Sequence, residues 1–306
     1  MREAACQIAR CDQSGAPQAP LVLSQRRTTV REPIAPPVIM TIAGSDSGGG
    51  AGIQADLKTI AANGGYGVSV IAALTAQNGL GVTGIHAPPP DFVALQLSTV
   101  LDGFPVKAAK TGMLFSAAII EAVAEILETR KNFPLVVDPV SISQSGHRLL
   151  EESAIQALMT RMLPLAALVT PNRPEAEMLS GVEIVTAEDV ATAGHRILDL
   201  GPEAVLIKGG HITAAREAEA LRDWLVLPGG EVHELVHTHV TTQNLHGTGC
   251  TLSSAIATFL CAGVELPEAV RLAQEYLSAC LAAGYAPGEG AGPPDHMAAI
   301  RPLLGD

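Results

Sequence analysis

The sequence predicts an α/β fold: a three-layer α/β/α sandwich with a mostly parallel central sheet, helices on both faces and a small β-hairpin at one edge. Three observations carry this. From Val38 onward, short apolar runs of strand length alternate with segments of helical spacing, the pattern of a parallel sheet covered on both faces. The runs are built from Val, Ile, Leu and Ala and stop at Gly, Asp-Pro or Thr-Pro-Asn, as buried strands do. Near the C-terminus, two more runs are joined by Pro-Gly-Gly, a hairpin signal.

In chain order, VIMTIAG (38–44) is a buried strand ending in glycine. The segment 53–65 places Ile53, Leu57, Ile60 and Ala61 on one helical face and stops at Asn-Gly-Gly. VSVIAALTA (68–76) is a second buried strand, and 82–86 a third at an edge. Residues 91–101 are helical, 106–114 form a strand turning at Gly112, and 117–130 are helical again. PLVVDP (134–139) is a strand, 152–163 a helix and AALVT (166–170) a strand. Helices at 173–180 and 187–200 precede the strand AVLIKGG (204–210). LRDWLVL (221–227) and EVHELVHTHV (231–240) make the hairpin, and helices at 248–262 and 267–283 close the pattern.

Residues 1–36 lack this regularity and read as a flexible extension before a single domain spanning 37–306. Arg26, Arg27 and Arg31 would suit an organellar transit peptide, but Glu3, Asp12 and Glu32 weigh against it. The last motifs lie close to Asp306, so no second catalytic domain is expected after them.

Composition narrows the function. Hydrophobic residues make up 47% of the 306, enough for a sizeable core and too many for disorder. Nineteen basic against 31 acidic side chains give a net charge of −12, which opposes nucleic-acid binding but not a small phosphorylated ligand held at helix N-termini. Five cysteines without a CxxC pair form neither a disulfide framework nor a zinc site and imply a reducing, cytoplasmic compartment. No apolar run has the length of a membrane span.

In parallel sheets, ligands sit beyond the C-terminal ends of the strands, and the chemistry-bearing residues cluster there. GSDSGGGAG (44–52) holds more glycine than a turn needs and is expected to offer backbone N–H groups to a ligand. Gly247-Thr248-Gly249-Cys250 opens an apolar helix, where unpaired N–H groups form an anion hole and a cysteine thiolate would be favoured. Asn172 and Glu175, spaced i, i+3, suit Mg²⁺, water and phosphate oxygens, but taken alone they read as a helix cap. Asp138 before Pro139 could serve a metal or nucleotide or simply end its strand. Lys208, followed by Gly209, Gly210 and His211, could meet a phosphate or merely precede a turn. His233, His237 and His239 share a strand face, read as the solvated side of a hairpin rather than a metal site, with no carboxylate to complete one.

Together, TIAGSDSGGGAGIQADLKT (41–59), TAQN (75–78), KTGML (110–114), VVDPV (136–140), TPNRPEAE (170–177), VLIKGGH (205–211) and HGTGCTLSSAIA (246–257) resemble the hydroxymethylpyrimidine/phosphomethylpyrimidine kinase family, within the ribokinase-like superfamily. The resemblance spans about residues 38–296. It implies transfer of the ATP γ-phosphoryl group to 4-amino-5-hydroxymethyl-2-methylpyrimidine and then to its monophosphate, in thiamine diphosphate biosynthesis, with Mg²⁺ as cofactor and a homodimer as assembly. It also implies that Gly44, Asp56, Gln77, Met113 and Val140 line the pyrimidine pocket. Asp138, Asn172, Glu175, Lys208 and Gly210 would serve ATP, with Asp138 and Glu175 near the metal, often through water. Gly247, Thr248 and Gly249 would form the anion hole, with Cys250 where sugar kinases carry an aspartate base. Cys250 would then orient the acceptor hydroxyl or take its proton.

Two departures stand out: Ser141 where methionine is common, opening SISQSGHRLL (141–150), and Gly79 where threonine is common. The alternatives are a pyridoxal/pyridoxine kinase of vitamin B6 salvage, with dual activity possible, and a ligand sensor that keeps the fold without catalysis. Cys250 disfavours a sugar kinase, and the full set of phosphate-site motifs disfavours the sensor.

Overall fold

The computed structural model describes residues 35–140, 152–211, 220–298 and 300–301. By backbone contacts the chain divides into Met1–Ala35 and Pro36–Asp306, and every element below belongs to the second unit. The expected extension, apart from its last two residues, lies outside the described residues, as do Ser141 and the segment 141–150.

Strand β1 (Val38–Asp46) leads into helix α1 (Gly52–Ala62) and strand β2 (Tyr66–Asn78), which turns back as the edge strand β3 (Gly81–His86). Helix α2 (Pro90–Gly103), strand β4 (Val106–Thr111), helix α3 (Ala117–Arg130) and strand β5 (Leu135–Val137) follow. Helix α4 (Glu152–Ala157) widens into a π turn at Leu158–Met162 and precedes strand β6 (Leu168–Val169). Helices α5 (Arg173–Ser180) and α6 (Ala187–Leu198) lead to strand β7 (Val205–Ile207). The hairpin β8 (Ala220–Val226) and β9 (Val232–Thr238) comes next, then helices α7 (Thr248–Cys261) and α8 (Leu266–Ala282).

The sheet runs β3-β2-β1-β4-β5-β6-β7-β8-β9. The stretch from β2 to β7 is parallel, and β3, β8 and β9 add antiparallel edges. Alternate residues of each strand feed opposite cores, as a period of two requires. Met40, Ile42, Leu135, Val137, Val205 and Ile207 face the layer of α2, α3, α4, α5 and α6. Ile39, Val136 and Leu206 face α7 and α8 together with Ile60 of α1. Small residues along α7, among them Ala255 and Ala257, let it pack closely on β4 and β5.

Local sequence sets the boundaries. Ser116 caps α3 by accepting from the Ile119 amide, and Thr186 with Asp189 forms a reciprocal cap on α6. Gly181, at φ 67°, ends α5 in the left-handed conformation. Strand β7 is shorter than its sequence run. The Gly209 amide donates to the buried Asp223 carboxylate at 2.7 Å, and Gly209–His211 curl into a single 3₁₀ turn.

Candidate active site

Strands β1, β2, β4, β5, β6 and β7 all point their C-terminal ends at one region, and the N-terminus of α7 enters it. Gly247 precedes α7 with φ 86°, and no side chain caps the helix. The first-turn N–H groups, which have no intrahelical acceptors, therefore face the site with the positive end of the helix dipole. Thr248, Gly249 and Cys250 form that first turn, and all three are half-buried.

Gly249 marks the point of convergence. A Cβ built there would lie 3.2 Å from Asp138 Oδ2 and 3.4 Å from Lys208 Nζ. Asp138, buried at the end of β5, accepts from Thr170 Oγ1 and from Lys208 Nζ through Oδ1, each at 3.1 Å. Burial alone would lower the Lys208 pKa, but Asp138, Glu175 and Cys250 raise it on balance, so Lys208 stays protonated. A cation, a carboxylate and an uncapped helix start thus meet at one glycine, an arrangement chemically suited to a transferring phosphoryl group.

Asn172 and Glu175 are engaged with each other. Glu175 Oε2 accepts from the Asn172 amide at 2.8 Å, and Asn172 Oδ1 accepts from the Glu175 amide at 3.0 Å. This is the capping reading of the pair, and it brings Glu175 into electrostatic reach of Lys208. Asn172 also bridges to Lys208 alongside it. Gly210 lies in the 3₁₀ turn, where a Cβ would meet nothing within 4 Å.

The residues assigned to the pyrimidine pocket separate into two groups. Gly44 at the end of β1 lies under Met113, whose Cε would be 2.6 Å from a Cβ at Gly44. Gln77 at the end of β2 receives Thr75 and His246 against its amide. Val140 borders a shallow depression with Gly112, Asp138 and Pro139. Asp56, by contrast, has no exposed surface. Its carboxylate accepts from Thr41 at 2.6 Å, from Lys110 at 2.9 and 3.1 Å and from Ser254 at 2.8 Å. It ties α1, β1, β4 and α7 together and presents no surface of its own to a ligand. Lys110 is equally buried. Burial alone would lower its pKa, but the Asp56 carboxylate outweighs it and holds Lys110 charged.

Three sequence expectations are corrected. The glycine-rich loop does not keep its amides for a ligand: Gly48, Gly50 and Ala51 donate to the buried Asp46 carboxylate at 2.8 to 2.9 Å. The loop supplies its own anion. The helix start does not favour a Cys250 thiolate either. Burial pushes the thiol up to about 11, and Asp56 and Asp138 add to this against the opposing pull of Lys110 and the Gly52 amide. Finally, the hairpin histidines differ: His233 stays on the solvated side beside exposed Glu231, whereas His237 is largely buried, and both have a carboxylate at hand. His237 Nε2 lies 3.2 Å from buried Asp223, and His233 Nε2 lies 2.9 Å from Glu231. Among the described residues no group of three or more His, Cys, Asp or Glu could hold a metal ion.

Asp46, His246, Lys110 and Asp223 carry much of this geometry, and the motif reading gave them no role. An aspartate followed by glycines at i+2 and i+4 signals a side chain capturing its own loop. Asp223 had no sequence signal, because its partners Gly209, His237 and Gln274 come from separate elements. The Gly79 departure has a structural basis: a Cβ there would collide with the Glu289 carbonyl, and Gly79 O accepts from Ala291 at 2.9 Å.

A doubly wound sheet whose strand ends gather a lysine, a carboxylate and an uncapped helix start has the architecture of a small-molecule kinase. The phosphomethylpyrimidine kinase family model matches residues 46–295. The chain is 46% identical to a hydroxymethylpyrimidine/phosphomethylpyrimidine kinase of Streptomyces coelicolor, over 88% of this chain and 97% of that one. It is 47% identical to a thiamine biosynthesis bifunctional protein of Geobacter sulfurreducens, over 86% of this chain but only about half, 53%, of that longer one. Among solved structures it resembles a phosphomethylpyrimidine kinase of Clostridium difficile (42% identity, TM-score 0.69, 79% of this chain and 98% of that one). It also resembles a Bacillus subtilis pyridoxal kinase in complex with ADP (34% identity, TM-score 0.78, 87% of this chain and 100% of that one). The chain belongs to the phosphomethylpyrimidine kinase family. It is an enzyme, an ATP-using kinase of thiamine biosynthesis.

Proposed function

We propose that the protein phosphorylates the hydroxymethyl group of 4-amino-5-hydroxymethyl-2-methylpyrimidine and then the resulting monophosphate, with ATP as donor. The observation that carries the reading is the meeting of Lys208, Asp138 and the uncapped start of α7 at Gly249. The first-turn amides Thr248–Cys250 receive the transferring phosphoryl group, and Lys208 balances its charge. Gly44, Gln77, Met113 and Val140 hold the ring, and Asp56 supports them from beneath.

Cys250 positions the acceptor oxygen and does not deprotonate it, because a thiol pushed up to about 11 stays protonated at neutral pH. A loose transition state needs no early proton removal, and the second acceptor is already a phosphate. Mg²⁺ fits the hard oxygen donors present. Asp138 and Glu175 would hold it together with nucleotide phosphates, as Mg²⁺ is usually held by one or two carboxylates plus substrate. When bound, it would neutralise charge on the nucleotide.

The assembly proposed is a homodimer, supported by exposed Leu74, Leu80 and Ile85 at the β2–β3 edge. The proposed layout is an extension 1–36 and one kinase domain 37–306. A cytoplasmic setting is in keeping with Cys250, Cys261 and Cys280 as free thiols. None of the described helices is long and apolar enough to cross a membrane.

Pyridoxal as a second acceptor is favoured by one observation, the higher TM-score to the pyridoxal kinase (0.78 against 0.69). One assay tests both readings: coupled ADP release with Mg²⁺-ATP on the pyrimidine alcohol, its monophosphate and pyridoxal. Turnover on both pyrimidines, with pyridoxal much slower, is the expected result. Turnover on pyridoxal alone would overturn the main reading.

A further inference from the structure

The start of α7 has two conflicting needs. To receive a phosphoryl group it must keep its first amides unpaired, and it carries no side-chain cap. A helix start without a cap is held weakly from the amide side. The support comes from the carbonyl side instead. The Gly247 carbonyl accepts from the Thr251 amide and from Thr251 Oγ1, each at 2.9 Å. Thr251 Oγ1 in turn lies 3.1 Å from His296 Nε2, and both residues are buried. His296 belongs to the segment after α8, apart from the phosphate-site motifs in the sequence.

The direction of each bond follows from the donors available. A carbonyl only accepts, so the Thr251 hydroxyl gives its one hydrogen to Gly247. Its oxygen is then left to accept, and His296 Nε2 must carry the hydrogen it receives. With Thr251 turned toward His296 instead, two oxygens would stand 2.9 Å apart with no hydrogen between them. Each hydrogen in the chain from His296 to Thr251 to Gly247 is therefore used once. Burial, helped by Lys58 and opposed by Asp295, pushes the His296 pKa down to about 4, so the ring is neutral near pH 7 and has one N–H to give. The imidazole is also well anchored. The His296 carbonyl accepts from the Tyr276 hydroxyl at 2.8 Å, and the Asp295 amide donates to the Cys280 carbonyl at 2.8 Å. Both partners are on α8, so a neighbouring helix carries the support for α7. The same segment holds the residue before Gly247, since the His246 amide donates to the Gly292 carbonyl at 3.1 Å.

We propose that His296 is a positioning residue for phosphoryl transfer: through Thr251 it pins the Gly247 carbonyl and so aims the first-turn amides of α7 at the transferring group. The peptide plane after Gly247 sets the direction of the turn that follows, and a chain of hydrogen bonds ending on its carbonyl also polarises that peptide. Where catalysis is mostly positioning, a small shift of this turn weakens the transition state more than substrate binding. The proposal rests on the reading of the α7 start as the phosphoryl site.

The test is a double-mutant cycle on the full chain with His296→Ala, Thr251→Val and the pair, plus His296→Gln, which keeps an N–H donor near the Nε2 position. Coupled ADP release gives kcat and KM on the pyrimidine alcohol and its monophosphate, and thermal melting reports the fold. His296→Ala is expected to lower kcat about tenfold on both acceptors, the scale of one hydrogen bond. It should leave the KM values for acceptor and ATP within about twofold, the pattern of an interaction realised in the transition state. His296→Gln should restore most of the rate. The pair should be no worse than Thr251→Val, because His296 acts through Thr251. An unchanged kcat, a loss confined to KM, additive losses or no rescue by glutamine overturns the proposal. Gly249→Ala separates the two readings, since its Cβ would lie 3.2 Å from Asp138 Oδ2 at the point where the phosphoryl group is placed. If Gly249→Ala keeps full kcat, the phosphoryl-site reading fails and takes this proposal with it; if it lowers kcat while His296→Ala does not, this proposal alone fails. Should His296→Ala not fold, Thr251→Val and Thr251→Ser carry the comparison: serine keeps the hydroxyl and should retain most of the rate that valine loses, and equal losses overturn the proposal.

Discussion

The Cys250 thiol offers a test that separates positioning from base catalysis. Burial lifts it from an ordinary 9.0 to about 11, with Asp56 and Asp138 reinforcing the shift and Lys110 opposing it. Two pH units mean roughly a hundredfold less thiolate near neutral pH than an unperturbed cysteine would show. Since the thiolate is the nucleophile, Cys250 should react with iodoacetamide on the order of a hundredfold more slowly than a free thiol at pH about 7.5. Mass-spectrometric mapping of time-resolved labelling gives the rate for Cys250 separately from Cys261 and Cys280. The same chemistry predicts the pH profile of kcat. No limb with an apparent pKa between about 7 and 9 should belong to this residue, and Cys250→Ser should leave the profile's shape intact while lowering its height. Fast labelling at neutral pH, or a limb that vanishes in Cys250→Ser, would refute the reasoning and return Cys250 to the role of base. Stability follows with a definite sign. The folded-state pKa is raised, so the unfolded chain loses this proton first. Between about 9 and about 11, rising pH therefore favours unfolding.

Three further outcomes are expected. Lys110→Met leaves the buried Asp56 carboxylate without its cation and should cost about 3–5 kcal/mol in urea unfolding; the pair Lys110→Met/Asp56→Asn should regain part of that, and a single variant costing under about 1 kcal/mol would contradict the burial of the pair. Gly247→Ala forces a left-handed φ of 86° on a side chain, at about 1–2 kcal/mol, and drives its Cβ into the Gly50 carbonyl; kcat/KM should fall at least about tenfold, read by ADP release, whereas Gly103→Ala, which lies away from the site and meets nothing within 4 Å, should be nearly silent. Burial would lower the His237 pKa, but its Asp223 partner raises it on balance, so its contribution is complete below the unfolded pKa of 6.5 and is lost as pH rises through the raised folded value; denaturation midpoints of the native protein should drop as pH rises above 6.5 by more than those of His237→Gln.

The layered fold was readable because its signals are local. β1 alternates Ile39 with Met40 and Ile42 between two cores, and such alternation, with helical spacing between strands, is visible in the chain itself. Asn172 and Glu175 were readable for the same reason, since a capping box spans four residues. The shortening of β7 was not, because its cause is a carboxylate 14 positions away at Asp223. The pKa of Cys250 was misjudged because a helix start is a local feature, while the burial and carboxylates that overcome it come from α1 and β5. Asp56 was placed in the pocket by resemblance. Its actual surroundings, Thr41, Lys110 and Ser254, lie on three other elements.

What unites the site is that its two glycine motifs, about 200 residues apart, form one unit. Asp46 gathers the amides of Gly48, Gly50 and Ala51 and reaches across to His246, the residue immediately before Gly247. Desolvation would raise the pKa of that carboxylate, but the His246 bond and the loop amides more than offset it and hold the carboxyl below its usual range. The loop glycines are thus needed less for flexibility than for approach. Gly247 touches the Gly50 backbone, where no Cβ fits. The loop at the acceptor end and the helix that receives the phosphoryl group are consequently fixed to each other. That rigidity matters for in-line transfer, where catalysis is mostly positioning. It follows that Asp46→Asn, which adds N–H donors where only acceptors are wanted, should slow both phosphorylation steps together. A variant of Gln77 should instead discriminate between ring substrates.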